Sequence, residues 1–301
     1  MAKILTVGLS PAIQKTIRMP RFTLGAVNRS TDYLIDASGK SINVGRVLAQ
    51  AGLEAHCLVP VGGENGELFG KLCRRDGIQV HPVPTRGRVR FCYTLIDTGA
   101  GEATELVVNE PEAVTPEEEA LFREAYLRLL GEGPAAVALS GSRLKGFSGE
   151  IVPFLVKAAA ERGVVFLADY KGEDLKNSFL SPTVHPAVVK INREELLQTF
   201  PGTADSQEAL KELARQYRCA FVVTRGADPT LYADEFVAGT LESKIVEAVN
   251  PIGCGDSFLA GLAEAVVAGR PLAEAVERGR HYAALNAASY HPGWIKEDEE
   301  P

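Results

Sequence analysis

Short apolar runs that do not alternate with polar residues recur along this chain, and each is separated from the next by helical periodicity. The runs are Ile4–Val7, His56–Val61, Ala135–Leu139, Val164–Ala168, Val188–Ile191 and Ala220–Val223. A strand without alternation is buried on both faces, which is the situation inside a parallel sheet covered by helices. Between the runs, residues 115–130, 151–162 and 206–217 read as helices. Residues 42–50 do so most clearly. Val44, Val47, Leu48 and Ala51 fall at helical spacing, and Gly52 supplies a stop. The pattern predicts an α/β fold around a mostly parallel sheet.

Two stretches break the pattern. Residues 16–36 and 88–108 alternate apolar and polar positions, as in Cys92, Thr94 and Ile96 and again in Glu105 and Val107. Alternation marks strands with one wet face. They are expected to form a small antiparallel β lid, spanning about residues 15–36 and 88–109, on a single domain of residues 1–301. An exposed lid edge would need a cover, and pairing with a second copy of the chain supplies one.

Composition sets the remaining bounds. Of 301 residues, 46% are hydrophobic and 24% charged, with a formal net charge of −7. Such a chain buries a large core without disulfide or metal. The acidic balance argues against a nucleic-acid or acidic-membrane partner, while leaving room for a local basic pocket. Five dispersed cysteines have no ligand spacing. The N-terminal apolar run is too short for a signal peptide, and no run reaches membrane-spanning length. A cytoplasmic location is expected.

The densest chemical signal is Asn250-Pro251-Ile252-Gly253-Cys254-Gly255-Asp256-Ser257-Phe258. A glycine turn enters a helix whose apolar face comprises Phe258, Leu259, Leu262, Ala263, Val266 and Val267, with Gly269 as its stop. Backbone N–H groups at Gly253, Cys254 and Gly255, reinforced by the helix dipole, can converge on an anion. Asp256 then stands where it could take a proton from a hydroxyl attacking a phosphate. On its own, the same motif would equally suit an aspartate capping its helix. Gly39-Lys40-Ser41 resembles the end of a phosphate-binding P-loop, but that motif needs a glycine where Leu34 stands.

The nonapeptide is similar to the C-terminal signature of the ribokinase/phosphofructokinase-B family of carbohydrate kinases. Ser38-Gly39-Lys40-Ser41-Ile42-Asn43-Val44-Gly45 is similar to the family's N-terminal signature and lies where it is expected. Further similarity runs through Leu9–Ile13, Val27-Asn28-Arg29, Ser140-Gly141-Ser142 and Lys190–Glu195. The set most resembles the 1-phosphofructokinase and tagatose-6-phosphate kinase branch.

This resemblance implies a ribokinase-like three-layer αβα sandwich that uses ATP and Mg²⁺ to phosphorylate a sugar or sugar phosphate. It implies that Gly253, Cys254 and Gly255 form the anion hole and that Asp256 is the base. Gly39, Lys40, Asn43, Gln14 and Ser142 correspond to substrate-binding positions, and Arg90, joined by Arg29, to the holders of a substrate phosphate. Asn192 and Glu195 correspond to a motif that organises magnesium through water. Lys190, Thr224, Gly226 and Asn286 correspond to the nucleotide site.

The chain departs from the family pattern at four places. Gln14 replaces an aspartate that reads sugar hydroxyls. Ser38 and Ser41 replace glycines. Arg143 and Lys145 add cations where Leu-Pro is usual. Pro229 ends the Thr224–Pro229 turn where glycine is usual. These changes fall on sugar recognition, so an active kinase with altered preference is expected. The alternatives are a kinase for a free sugar or nucleoside, and a weakly active sugar-phosphate sensor. A sensor would have no need of Asp256 together with Asn192 and Glu195. The five histidines read as packing or surface residues, Trp294 as an anchor, and Glu117–Glu119 as the solvated first turn of a helix.

Overall fold

The computed structural model describes residues 2–110, 112–243 and 249–296. The chain opens with β1 (Lys3–Val7), β2 (Ala12–Met19), β3 (Tyr33–Ser38), α1 (Lys40–Gln50), β4 (Glu54–Gly62) and α2 (Gly66–Arg75). Next come β5 (Gln79–Thr85), β6 (Arg90–Asp97), β7 (Glu102–Val107), α3 (Pro116–Gly131), β8 (Ala136–Ser140) and α4 (Ile151–Ala160). The middle section holds β9 (Val165–Asp169), α5 (Gly172–Lys176), β10 (Val188–Asn192), α6 (Arg193–Thr199) and α7 (Gln207–Tyr217). It finishes with β11 (Ala220–Arg225), β12 (Asp228–Ala233), β13 (Ala238–Leu241), α8 (Cys254–Val267) and α9 (Leu272–Ala287).

Among the described residues, one nine-stranded sheet runs in the order β13-β12-β11-β10-β9-β8-β1-β4-β5. Strands β11 to β5 in that order pair parallel, while β12 and β13 add antiparallel strands at one edge. Side chains of β1 alternate between the two faces. Leu5 and Val7 join Phe122 and Tyr126 of α3, Leu155 of α4 and Leu210 of α7. Ile4 joins Val44 and Val47 of α1, Leu259 and Leu262 of α8 and Val276 of α9. The result is the expected sandwich of helices, sheet and helices. Helix α9 escapes a reading by periodicity because its buried face is largely Ala275, Gly279 and Tyr282, with Gly279 set against Phe258 of α8.

The lid is a four-stranded sheet in the order β3-β2-β6-β7. Its outer pairs, β2 with β3 and β6 with β7, are antiparallel as expected. The central pair, β2 with β6, is parallel, with Gln14 opposite Cys92. The cause lies in the main sheet. Strand β2 continues out of β1 and β6 out of β5, and β1 and β5 run the same way, so both lid strands emerge in one direction. Strand β2 also starts earlier than its alternation suggested, because only Gly8–Pro11 separates it from β1. A third apolar cluster, including Ile13, Ile42, Cys57, Val59 and Phe69, fastens the lid to α1 and α2.

The acidic run in the first turn of α3 is less solvated than expected. Glu118 completes a capping box with Thr115. Glu119 is buried and accepts from the backbone N–H and hydroxyl of Ser148. From residue 297 the charged tail lies outside the described residues. No helix among the described residues is long and apolar enough to cross a membrane.

Candidate active site

In a parallel α/β sheet the strand ends open onto a crevice where the following helices start. Here that crevice, with a volume of about 470 Å³, lies between the main sheet and the lid. Gln14, Arg90, Cys92, Glu105 and Val107 line it from the lid, and Ser38, Gly39, Lys40 and Asn43 from the start of α1. Ser142 lines it from beyond β8, Lys190 and Asn192 from β10, Glu195 from α6 and Thr224 from β11. Gly253, Gly255 and Asp256 close it at the start of α8.

Gly253 adopts φ +88, and a Cβ there would meet the backbone nitrogen of Gly293 at 2.6 Å. A Cβ on Gly255 would stand 2.8 Å from Lys190 Nζ. Gly253 therefore requires glycine, while at Gly255 a side chain would only press on the flexible end of Lys190, which lies directly against the helix start. The first N–H groups of α8 lack partners within the helix, so an anion placed there meets backbone donors, the helix dipole and an ammonium together.

Asp256 is 6% exposed. Asn43 Nδ2 donates to its Oδ2 at 2.7 Å. Burial pushes its carboxyl up to about 6, and the negative charge of Asp169 adds to the rise while Lys40, Asn43 and Lys190 oppose it. Such a carboxylate is a stronger base than an exposed one and still ionised at neutral pH.

Asp169, at the end of β9, was not singled out by any motif. It is 1% exposed. Lys190 Nζ lies 3.4 Å from Oδ2 and Lys40 Nζ 3.7 Å from Oδ1. Ser140 Oγ donates to Oδ2 at 3.0 Å. Burial alone would raise this carboxyl, but Lys190, Lys40 and Ser140 hold it below the ordinary range. In turn Asp169 raises Lys40 against the effect of burial. Asp169 thus holds Lys40 and Lys190 side by side at the cleft floor.

Gln14 is buried and donates through Nε2 to Thr94 Oγ1 at 2.7 Å. Its carbonyl oxygen remains to meet the cleft. Arg90 donates through Nη1 to Asn109 at 3.0 Å, while its Nε is shielded and without a hydrogen-bond partner. Asn192 and Glu195 form a reciprocal capping box, with bonds of 2.8 and 3.0 Å. The remaining Glu195 oxygen, Oε1, faces Lys171 at 3.9 Å. A carboxylate oxygen and an amide at the mouth are donors suited to a hydrated Mg²⁺.

Several expected residues lie elsewhere. Arg29 sits on the loop between β2 and β3 and lines a separate hollow with Arg18, Phe22 and Asp32. Asn286 is fully buried. Its amide donates to Ile252 O and Cys254 Sγ and its oxygen accepts from Ser257 and Gly293, so it braces the glycine turn and does not reach the cleft. Gly226 occupies the turn between β11 and β12, where its carbonyl accepts from Ser243. Arg143 turns away to Asp174 and Phe147 O, and Lys145 is exposed outside the cleft. The Cys254 side chain points toward Asn286, and burial pushes its thiol up. His291, read as bland, bonds Asp36 at 3.0 Å.

An α/β sheet whose crevice brings together a glycine-turn helix start, a raised carboxylate and paired lysines holds the groups that phosphoryl transfer uses. The chain matches the family described as pfkB family carbohydrate kinase over residues 1–294. It belongs to that family and is an ATP-dependent carbohydrate kinase. It is 27% identical to a tagatose-6-phosphate kinase of Staphylococcus epidermidis, covering 98% of this chain and 96% of the relative. A possible 1-phosphofructokinase from Thermotoga maritima superposes with a TM-score of 0.87 at 23% identity, over 96% and 93% of the two chains. Escherichia coli phosphofructokinase-2 in complex with fructose-6-phosphate gives 0.85 at 22% identity, over 95% and 94%.

Proposed function

We propose that this kinase phosphorylates a hydroxyl of a phosphohexose, such as fructose 1-phosphate, fructose 6-phosphate or tagatose 6-phosphate. The observation that carries the reading is Arg90. Its guanidinium lines the cleft on the lid side with a shielded, unpartnered Nε. A buried donor left unmade is costly, and a phosphate dianion matches the guanidinium fork. The named relatives act on or bind phosphorylated hexoses, which agrees.

Asp256 would take the proton of the attacking hydroxyl. The α8 N–H groups and Lys190 would hold the transferring phosphoryl group, and Lys40 would add positive charge beside it. Gln14 would accept from a sugar hydroxyl. Glu195 and Asn192 would hold the nucleotide's Mg²⁺ through water, and Thr224 would face the nucleotide. Pairing of two copies through the lid would cover Tyr33, Leu106 and Val108, all of them exposed.

The test is ADP release with Mg-ATP against phosphorylated and free hexoses, pentoses and nucleosides. A phosphohexose should give the highest kcat/KM. A free sugar or nucleoside as best substrate would reject the reading, and binding of a sugar phosphate without turnover would favour a sensor.

A further inference from the structure

Arg46 lies in the middle of α1 and is 0% exposed. A buried guanidinium is tolerated only when its charge is paired and its donors are used. Nε donates to Asp76 Oδ2 at 2.8 Å, and that carboxylate is equally buried. Nη1 donates to Pro292 O at 2.7 Å and to Asn43 Oδ1 at 3.2 Å, and Nη2 donates to Ala37 O. One side chain is thereby tied to the end of α2, the segment after α9, strand β3 and its own helix.

The contact with Asn43 has a consequence for Asp256. An asparagine amide has one accepting and one donating end. Here the guanidinium, which only donates, stands on one side of Asn43, and the Asp256 carboxylate, which accepts when ionised, stands on the other. A single orientation satisfies both, with the oxygen toward Arg46 and the NH₂ toward Asp256. Ser38 Oγ, 3.4 Å from the same oxygen, favours it too.

We propose that Arg46 is a positioning residue for the phosphoryl-transfer base, acting through Asn43, whose amide it fixes so that the donated hydrogen bond sets the rotation of the Asp256 carboxylate. The proposal rests on the reading of Asp256 as the base. With Oδ2 held by Asn43, the direction of Oδ1 is fixed before substrate arrives. Arg46 is itself kept in place by Asp76, whose Oδ1 accepts from Arg75 at 2.8 Å, and Arg75 in turn bonds Asp36 of β3 at 2.7 Å. The charged groups facing Asp256 are Lys40 of α1, Asp169 of β9 and Lys190 of β10. Asn43 adds a neutral donor that favours the ionised form.

The experiment uses the full chain with Mg-ATP and the best phosphosugar. It compares wild type, Arg46→Lys, Asp76→Asn, Asn43→Ala, the Arg46→Lys/Asn43→Ala double variant and Asp256→Asn. Lysine keeps the charge but cannot reproduce the forked contacts. Asp76→Asn loosens the guanidinium with the least change of volume and serves if Arg46→Lys does not fold. Both single variants should lose about tenfold in kcat, as for a misplaced reacting group, with both KM values nearly unchanged. The acid limb of the kcat profile should move up by about half a pH unit, and Asn43→Ala should move it similarly. In the double variant the limb should move no further than in Asn43→Ala alone. A limb that stays put while Tm falls would show a purely structural role and overturn the proposal, as would additive movement in the double variant. Near-wild-type turnover by Asp256→Asn would instead remove the base itself.

Discussion

Lys40 Nζ lies 3.7 Å from Asp169 Oδ1, and Lys190 Nζ 3.4 Å from the other oxygen of the same carboxylate. One buried anion therefore collects two cations at the mouth of α8.

Removing that anion should have opposite effects on stability and on the base. Asp169→Asn leaves two neighbouring lysines unpaired, so the free protein should lose about 3 kcal/mol in urea unfolding. A polyphosphate anion should restore part of it. Asp169 also raises Asp256, so the acid limb of kcat should move to lower pH. An unmoved limb with unchanged stability would show that the pair has no such role.

The pH profile follows from Asp256. The base works only when ionised, and its folded pKa of about 6 places the loss of activity near pH 6 as pH falls. The stability effect runs the other way. The folded pKa is raised above the unfolded value, so between about pH 4 and 6 the native state binds more protons. Stability present below that window is lost as pH rises through it, by on the order of 2–3 kcal/mol. Asp256→Asn should then lose at least roughly 10²-fold in kcat while gaining Tm at pH 8. Rapid turnover, or a Tm below wild type at pH 8, would contradict this.

Arg90→Ala should raise KM for the phosphosugar by at least about tenfold and leave KM for ATP nearly constant. Equal changes in both would place Arg90 outside the sugar-phosphate subsite.

Gln14 donates its amide to Thr94, which leaves the carbonyl as the group that would meet a sugar. Gln14→Asp is expected to shift relative kcat/KM among phosphohexoses toward fructose-1- or tagatose-type substrates. Substrate competition assays giving the wild-type order would show that position 14 does not read the sugar.

If the lid joins two copies, Leu106→Asp on the exposed strand β7 should shift mass in light scattering from dimer to monomer, because a buried unpaired charge disfavours an interface. A wild-type monomer at micromolar concentration would reject the pairing.

Two kinds of site residue are legible in the sequence: those that backbone demands fix, and those that the resemblance matches one by one, such as Asp256, Lys40 and Arg90. Gly253 is forced by a left-handed turn, and the apolar face of α8 announces the helix that follows it. Asp169 carries no such mark, since a single aspartate ending a strand looks like any strand end. Arg46 was equally silent. An arginine among helical residues ordinarily reads as exposed, and only the tertiary arrangement shows four separate elements meeting on it. Asn286 misleads because a residue close to a functional turn can brace it from behind instead of facing the ligand.

The parallel pairing of β2 with β6 places Gln14 and Arg90 on one small sheet, while Lys190 stands on β10 of the large one and Lys40 and Asp256 on the first turns of α1 and α8. On the proposed reading, the chemical step and the choice of sugar fall on different pieces of backbone. Exchanges along two lid strands would then retune which sugar is accepted without disturbing the machinery that moves the phosphoryl group, and one catalytic frame would serve a succession of substrates.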